Sequence, residues 1–203
     1  MVLIPKSFQA FMFQSGVDTI RDAFTASVGT VKEAERKAEE ALALYVASGK
    51  DDTEYDENGS VLHSTYFLLA HKASEMSIAA REVRRAFIMS AFHYWERSAR
   101  GWTNLDGRSD NYNKLKRQAA KQFDMSPKLD ELNHLNNVLK HNSPFNVCML
   151  ANIRSDHFIH MPYSTIDNRR VTWALGLNDA HVEEAIEIVR SSGPQRDAVT
   201  VDQ

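Results

Sequence analysis

The fold of this chain is decided by residues 61–102, which read VLHSTYFLLAHKASEMSIAAREVRRAFIMSAFHYWERSARGW. Apolar or small residues recur there at alternating steps of four and three, the spacing of a helix with one covered stripe; they are Leu62, Tyr66, Leu69, Ala73, Met76, Ala80, Val83, Phe87, Ser90 and Tyr94. No glycine or proline interrupts the pattern before Gly101. The pattern predicts a helix of about forty residues, which needs packing partners along its length because helix propensity alone does not hold it.

A second heptad pattern supplies such a partner within the chain. From about Val17 to Tyr45, apolar or small residues recur at steps of three and four, and charged residues fill the positions between them. We expect this helix to pack antiparallel to the first, with a second copy of the chain as another candidate partner. The 61–102 helix also gains a second apolar face near its end, which predicts burial by later elements; this face contains Ile88, Ala91, Phe92, Trp95, Ala99 and Trp102.

The remaining chain alternates short helices with turn signals. Residues 49–59 are acidic and bounded by glycines, which indicates an exposed loop. A short basic helix is predicted over 112–123. Ser126 and Pro127 are typical of a helix start, with Ser126 as N-cap, and Pro144 marks the end of that helix.

The last sixty residues are less regular. Residues 157–161 and 170–177 are predicted as two short strands, and Asp179 is predicted to cap a final helix that ends at Arg190. We expect residues from Ser191 onward to fray.

These patterns predict a mainly all-α fold. The predicted architecture is a helical bundle with two long antiparallel helices and a possible small C-terminal β-hairpin. We expect residues 1–143 to form the bundle, residues 144–192 to form an extension of the same domain, and residues 193–203 to form a tail.

Composition and charge exclude several classes of protein. The formal net charge is −3, so the chain is not a basic nucleic-acid binder of the histone type. Cys148 is the single cysteine, which rules out an intrachain disulfide and a multi-cysteine zinc site and fits a reducing cytosol. The apolar residues around Cys148 predict an inert core thiol. No apolar run is long enough to span a membrane, so we predict a cytoplasmic protein with no membrane partner.

The first candidate site lies in residues 132–143, which read LNHLNNVLKHNS. On a helical wheel the leucines share one face, whereas His134 and His141 share another face that is roughly opposite, with Asn137 beside them. Histidine is the side chain best suited to proton transfer near neutral pH. The alternative interpretation is a polar helix face that meets water.

The second candidate site lies in residues 91–100, which read AFHYWERSAR. His93, Arg97 and Arg100 share the polar side of the helix, and Glu96 lies between that side and the apolar face. These groups could position a phosphate or a histidine of the 129–141 helix. Alternatively, Glu96 and Arg100 form an ordinary surface ion pair, since they are four residues apart.

A long helix with a His-Tyr-Trp-Glu-Arg segment, followed by a helix that ends Asn-x-x-x-Lys-His-Asn, resembles the HEPN-like superfamily. The resemblance covers about residues 61–143 and implies a helical bundle built around two long helices. Active members of this superfamily are typically metal-independent ribonucleases that act as dimers, many of them in phage-defence or toxin–antitoxin systems. The resemblance therefore implies a homodimer and an RNA substrate, or else a protein partner.

Carried over residue by residue, the resemblance assigns His141 as the acid and base in RNA cleavage. It implies that Asn136, Asn137 and Lys140 orient the phosphate and that Glu96 steers the histidine. Substrate-binding residues would be His93, Arg97, Arg100, His134 and Asn142.

The chain departs from the superfamily at one point of its motif. The motif arginine would fall at His134, Leu135 or Asn136, and none of these is arginine. An arginine there would hold the scissile phosphate and neutralise charge in the transition state. Its absence favours a second hypothesis, a catalytically inactive HEPN-like module that dimerises or binds a partner protein or a nucleotide.

A metal-dependent chemistry is the remaining alternative. Glu131 and His134 have the Glu-x-x-His spacing of di-iron helical bundles, but those bundles need a second such motif and two more glutamates. His93 and Glu96 have the reverse order. We therefore predict neither a metal site nor a cofactor.

Overall fold

The computed structural model describes residues 5–105, 111–141, 143–164 and 171–196. These residues form six α-helices and two antiparallel strand pairs, so the predicted, mainly all-α fold is confirmed. The elements in chain order are α1 (Lys6–Ala47), β1 (Glu54–Tyr55), β2 (Val61–His63), α2 (Thr65–Thr103), α3 (Tyr112–Ala119), α4 (Leu129–His141), α5 (Pro144–Ile153), β3 (Phe158–Ser164), β4 (Val171–Leu175) and α6 (Asp179–Arg190). Strands β1 and β2 form one pair, and β3 and β4 form the other.

The chain divides into two compact units. The first contains the residues up to Ala23 and those from Arg85 onward, and the second is Phe24–Arg84. Helices α1 and α2 each contribute residues to both units. No helix in the described part of the chain is long and apolar enough to cross a membrane.

The first unit is built around the second apolar face of α2. Ile88, Ala91, Phe92, Trp95 and Ala99 are all buried, as the sequence predicted for this end of the helix. Apolar side chains of α3 to α6 complete the core, which includes Leu115, Leu129, Leu132, Leu135, Val138, Val147, Leu150, Val182, Ile186 and Val189. Full burial of each such side chain stabilises the fold by about 1.5–3 kcal/mol.

A buried turn after α6 connects three parts of this unit. The indole Nε1 of Trp95 donates to the carbonyl oxygen of Ser192 at 2.8 Å. The Ser192 hydroxyl accepts from the backbone N–H of Ser126 at 3.0 Å and donates to the carbonyl of Ile188 at 2.6 Å. Since Ser192 is fully buried, none of these groups has water as an alternative partner.

The fraying predicted from Ser191 onward is therefore wrong for residues 191–196. Gly193 is buried, and a β-carbon there would lie 2.6 Å from ring atoms of both Phe13 and Trp102. Only glycine fits so close to two rings. Residues 197–203, the rest of the predicted tail, lie outside the described residues.

Polar contacts join the start of α1 to α6. The guanidinium of Arg190 binds the carboxylate of Asp18 at 2.6 Å, and this bond lowers the pKa of Asp18. The buried amide of Gln14 donates to the carbonyl of Arg190 at 3.1 Å. Arg21 pairs with Glu183 at 3.0 Å, so α6 is tied to α1 along two helical turns.

Two of the helix boundaries differ from the predicted ones. Helix α4 begins at Leu129, and a turn precedes it in which the Ser126 hydroxyl accepts from the Lys128 N–H at 3.3 Å. Asn178, and not Asp179, is the N-cap of α6: its side chain accepts from the backbone N–H of His181.

Pro144 does not mark the end of α4, which ends at His141. It is the first residue of α5, a helix that was not predicted. Its residues are apolar on most sides, so no helical period stands out. Cys148 lies on this helix and is exposed, which corrects the predicted core thiol.

Neither long helix begins where the sequence predicts: α1 begins earlier and α2 begins later. Helix α1 begins at Lys6 rather than near Val17, and α2 begins at Thr65 because residues 61–63 belong to β2. The heptad positions Leu62 and Tyr66 are exposed, by 67% and 46%, so the predicted stripe is not covered at this end.

In the second unit, the acidic stretch 49–59 is not a plain loop. It contributes β1, which pairs with β2 in a small exposed hairpin. The carboxylate of Asp52 fastens this segment: it accepts from the Tyr45 hydroxyl at 2.6 Å and from the backbone N–H of Thr65 at 3.1 Å. Hydrogen bonds from the Thr65 and Tyr45 side chains lower the pKa of Asp52 to about 2.

The C-terminal hairpin predicted from residues 157–161 and 170–177 is confirmed. Strand β3 pairs with β4, with Phe158 opposite Leu175 and Ser164 opposite Val171.

Ser192→Ala should destabilise the protein by about 1–3 kcal/mol, because the buried N–H of Ser126 loses its acceptor. Urea unfolding followed by circular dichroism measures this free energy. The matched control is Ser191→Ala, whose exposed hydroxyl donates to carbonyls of its own helix; we expect a change within about 0.5 kcal/mol. Equal losses in the two variants would contradict the role of Ser192.

Asp52→Ala should speed amide hydrogen exchange at Thr65 and through the β1–β2 hairpin, with Glu57→Ala as an exposed control. In the unsubstituted protein, the contribution of Asp52 is complete above its ordinary pKa of 3.8 and is lost as the pH falls through about 2. When exchange rates are measured from pH 5 downward, those of the unsubstituted protein should therefore become equal to those of the variant only as the pH approaches about 2. A hairpin that exchanges equally fast with and without the carboxylate at pH 5 would refute this account.

Candidate functional site

Helix α4 presents two contrasting faces. Leu129, Leu132 and Leu135 are buried against the core of the first unit, and this fixes the rotation of the helix. On another side, polar residues recur at steps of four, three and four, the spacing of a single helical stripe; they are Asp130, His134, Asn137 and His141. We call these four residues the α4 polar stripe.

The start of the α4 polar stripe borders an open cleft of about 390 Å³. Its lining is entirely polar or phenolic and consists of Asn111, Tyr112, Asn113, Asp130, Asn133 and His134. A volume of this order suits a small ligand or a single nucleotide unit. Amide, imidazole and phenol groups can both donate and accept hydrogen bonds, so the cleft matches a ligand with mixed donor and acceptor edges.

The two walls of the cleft are fastened by one carboxylate. Asp130 of α4 accepts from the Tyr112 hydroxyl at 2.6 Å and from the Lys116 ammonium at 2.8 Å. Burial, followed by the bond to Asp130, raises the pKa of Tyr112 well above its usual range, so the phenol stays protonated and donates. The amide oxygen of Asn111 caps α3 by accepting from Lys114 N–H at 3.0 Å, which sets the direction of this wall.

Helix α2 fixes the position of Tyr112, one of the residues that line the cleft. The ring of Tyr112 packs against Phe92 and Trp95, with ring centroids 6.0 and 5.8 Å apart. Both of these α2 residues are fully buried. The position of the cleft therefore depends on the same apolar face that forms the core.

Two buried polar atoms of α4 have no hydrogen-bond partner among the described residues. They are Nδ1 of His134 and Oδ1 of Asn136. Such groups are costly, and in native proteins each one calls for an explanation such as a bound water or a functional role. Their occurrence two residues apart marks this part of α4 as a functional candidate.

The predicted site residues on α2 form a local cluster. His93 Nδ1 lies 3.0 Å from Glu96 Oε2, so Glu96 pairs with His93. Arg97 lies over the ring of Tyr94, 6.0 Å from its centroid, and Arg100 lies in the last turn of α2. Among the described residues, no hydrogen bond or ion pair joins His93 or Glu96 to α4.

The predicted site residues on α4 have different environments. His141 and Lys140 are exposed in the last turn. Asn137 donates to the amide oxygen of Asn133 at 3.4 Å, whereas Asn136 is 1% exposed and faces the core. Asn142 lies outside the described residues.

Of the residues that line the cleft, His134 alone was among the predicted site residues. Asn111, Tyr112 and Asn113 lie about twenty residues away along the chain, and nothing in their spacing announces a site. Asp130 and Asn133 carry a usable signal, because both belong with His134 to the polar side of α4.

The residues of the di-iron alternative do not converge. Glu131 accepts from Arg154 at 3.3 Å, while His134 lines the cleft with Asp130. Three other residues of the first unit have side chains that commonly bind metals. They are Asp156, His157 and His181, and one ligand atom of each lies within 4.8 Å of the other two.

Comparisons with known proteins do not assign a family. The chain matches no family model, no curated protein and no solved structure.

Tyr112→Phe should lower the free energy of unfolding by about 0.5–1.5 kcal/mol, because the hydroxyl bond across the cleft is lost while the ring packing stays. Tyr55→Phe, on the exposed β1 strand, is the control and should be neutral. Urea unfolding of both variants measures the difference. If the two variants unfold alike, the bond between Tyr112 and Asp130 does not hold the cleft.

Proposed function

We propose that this chain is an HEPN-like protein that binds RNA along the α4 polar stripe and cleaves it as a metal-independent endoribonuclease, with His141 as acid and base. The proposal includes a homodimer, a cytoplasmic location and a role in phage defence or a toxin–antitoxin system, as the sequence resemblance implies.

The observation that carries this proposal is the continuity between the cleft and the exposed histidine. His134 borders the cleft, and His141 follows on the same stripe seven residues later, about 10 Å along the helix axis. A short stretch of single-stranded RNA can span this distance. One strand could therefore place a base in the cleft while a phosphate reaches His141.

The lining of the cleft supports recognition of an unpaired base. Proteins read single-stranded RNA by hydrogen bonds to base edges and by contacts with aromatic side chains. The amides of Asn111, Asn113 and Asn133 offer paired donors and acceptors, the combination that base edges require. Tyr112 adds an aromatic ring that is fixed by α2.

Basic side chains beside the cleft support contact with phosphates. Lys114, Arg117 and Lys121 are exposed on α3 and just after it. Lys116, on the same helix, pairs with Asp130 at 2.8 Å. The charge of this flank is local, which agrees with a chain whose net charge is −3.

The chemistry requires transfer of two protons and no metal. The 2′-hydroxyl oxygen attacks the adjacent phosphorus, the bond from phosphorus to the 5′-oxygen breaks, and a 2′,3′-cyclic phosphate forms. A neutral imidazole takes the 2′-hydroxyl proton, and an imidazolium donates a proton to the leaving 5′-oxygen. In a homodimer, His141 of each copy could fill one of these roles, and Lys140 would place a positive charge near the phosphate.

The second candidate is a catalytically inactive HEPN-like module that binds a partner or a nucleotide. Two observations favour it. The motif arginine is absent, and Asn136, which would help to orient the phosphate, is buried in the core. The cleft would then bind its ligand without any cleavage at His141.

Purified protein in EDTA should cleave single-stranded RNA to products with 2′,3′-cyclic phosphate ends. His141→Ala should reduce the rate at least about a hundredfold, because removing a general acid–base group typically costs that much. The matched control is His71→Ala, an exposed histidine of the second unit, and it should cleave at the unsubstituted rate.

The outcomes separate the two candidates. Cleavage that survives in His141→Ala, or that disappears equally in His71→Ala, would contradict the assigned role. RNA bound without cleavage by any of the three proteins would favour the inactive module.

A further inference from the structure

A second site lies on the side of α4 that faces α5 and α6. The buried imidazole of His157, in the 3-10 turn Ser155–His157, is 3% exposed. Neither of its ring nitrogens has a hydrogen-bond partner among the described residues. A neutral imidazole ordinarily uses one nitrogen as donor and the other as acceptor, so a buried ring with both unsatisfied is anomalous.

Two further ligand-type groups surround this ring. His181 packs edge-on against His157, with ring centroids 4.6 Å apart. Asp156 Oδ2 lies 3.9 Å from His157 Nε2 and 3.5 Å from His181 Nε2. A cavity of about 10 Å³, lined by both imidazoles, adjoins the group and has room for roughly one water-sized species. The space excludes an organic ligand and admits an ion.

We propose that Asp156, His157 and His181 form a binding site for one divalent transition-metal ion of the Zn²⁺ type. Metal–ligand bonds of about 2.0–2.1 Å bring the ligand atoms of a tetrahedral site to about 3.3 Å from one another. The Asp156 oxygen lies about 0.6 and 0.2 Å beyond this spacing from His157 and His181. The two imidazole nitrogens lie within 4.8 Å of each other and must approach by up to about 1.5 Å, through rotation of the more accessible His181 side chain. Two imidazoles and one carboxylate suit zinc and its neighbours rather than Mg²⁺ or Ca²⁺, which prefer oxygen ligands.

The surrounding charges support a cation. Arg154 donates to Asp156 from Nε at 3.0 Å and from Nη2 at 2.8 Å, which orients the carboxylate as outer partners of metal ligands do. The carboxylates of Glu131 and Glu184 in turn bind Arg154, at 3.3 and 2.7 Å. Glu184 also binds the Lys128 ammonium at 2.7 Å. Three carboxylates therefore face two cationic groups, which leaves one net negative charge.

The protonation states also suit ligation at neutral pH. The bond from Arg154 holds the pKa of Asp156 well below its usual range, so the carboxylate is ionised. Burial lowers the pKa of His157 to about 4, so its imidazole is neutral and has a lone pair to offer.

Binding at His181 has a local consequence. Its Nδ1 accepts from the backbone N–H of Asn178 at 3.1 Å, so in the neutral ring the proton is on Nε2, which faces Asp156. A metal at Nε2 requires that proton to move to Nδ1, where it opposes the Asn178 N–H. The ion therefore competes with one half of the capping box of α6, while the bond from His181 N–H to the Asn178 side chain remains.

Titration of the full chain with Co²⁺, after EDTA treatment and desalting, tests the site, because cobalt in a site with nitrogen ligands has a visible absorption band. We expect one equivalent to bind, Zn²⁺ to displace it and Mg²⁺ to leave it in place. Amide exchange at Asn178 should speed up when Zn²⁺ is bound.

Asp156→Asn and His181→Gln should each weaken Co²⁺ binding at least about tenfold. Both side chains are more accessible than His157, so these variants avoid emptying the core, and circular dichroism checks their folding. The matched control is His160→Gln, an exposed histidine of β3, and it should bind as before. Equal affinity in all variants would mean an adventitious ion only and would overturn the proposal, as would no binding at micromolar Co²⁺. Cleavage of RNA in EDTA is a separate readout, so either proposal can fail alone.

Discussion

The first unit of this protein depends on the burial of one indole. Trp95 is fully buried on the second apolar face of α2, and its N–H group must find a partner where no water can reach it. The carbonyl of Ser192 is that partner. Because the Ser192 hydroxyl also accepts from Ser126 N–H, the turn after α6 and the turn before α4 are held at fixed positions relative to α2.

The cleft inherits its rigidity from this core. The ring of Trp95 also packs against the ring of Tyr112, whose hydroxyl donates to Asp130 on α4. A polar cleft open to solvent is thus supported by a continuous path of packed rings and short hydrogen bonds. Packing of this kind keeps the side chains that line a cleft in one conformation, which is the condition for binding a ligand in a defined geometry.

The two proposed sites border different sides of α4 and differ in their exposure and in the groups they offer a ligand. The cleft is open, rich in amides and bordered by basic residues, which suits a ligand with hydrogen-bonding edges and negative charge. The cluster around His157 is centred on a buried ring, and its unusual feature is that both ring nitrogens lack a hydrogen-bond partner among the described residues. Arg154 pairs with Asp156 of the His157 cluster and with Glu131 of α4. Helix α4 therefore contributes residues to the surroundings of both sites.

The sequence by itself determined the helices with a clear period: α2, α4 and α6 were predicted to within a few residues, as was the hairpin of β3 and β4. Those elements follow from local spacing, which a single chain displays directly. Helix α5 escaped because its residues are apolar on most sides.

Only the tertiary structure decided what surrounds the polar groups. The heptad stripe of α2 predicted buried Leu62 and Tyr66, yet both are exposed, whereas the second face became the core because α3 to α6 cover it. Asn136 and Asn137 are neighbours in sequence, but one faces the core and the other the polar side. The cleft and the His157 cluster join residues that are far apart along the chain, and their proximity depends on packing that no local pattern encodes.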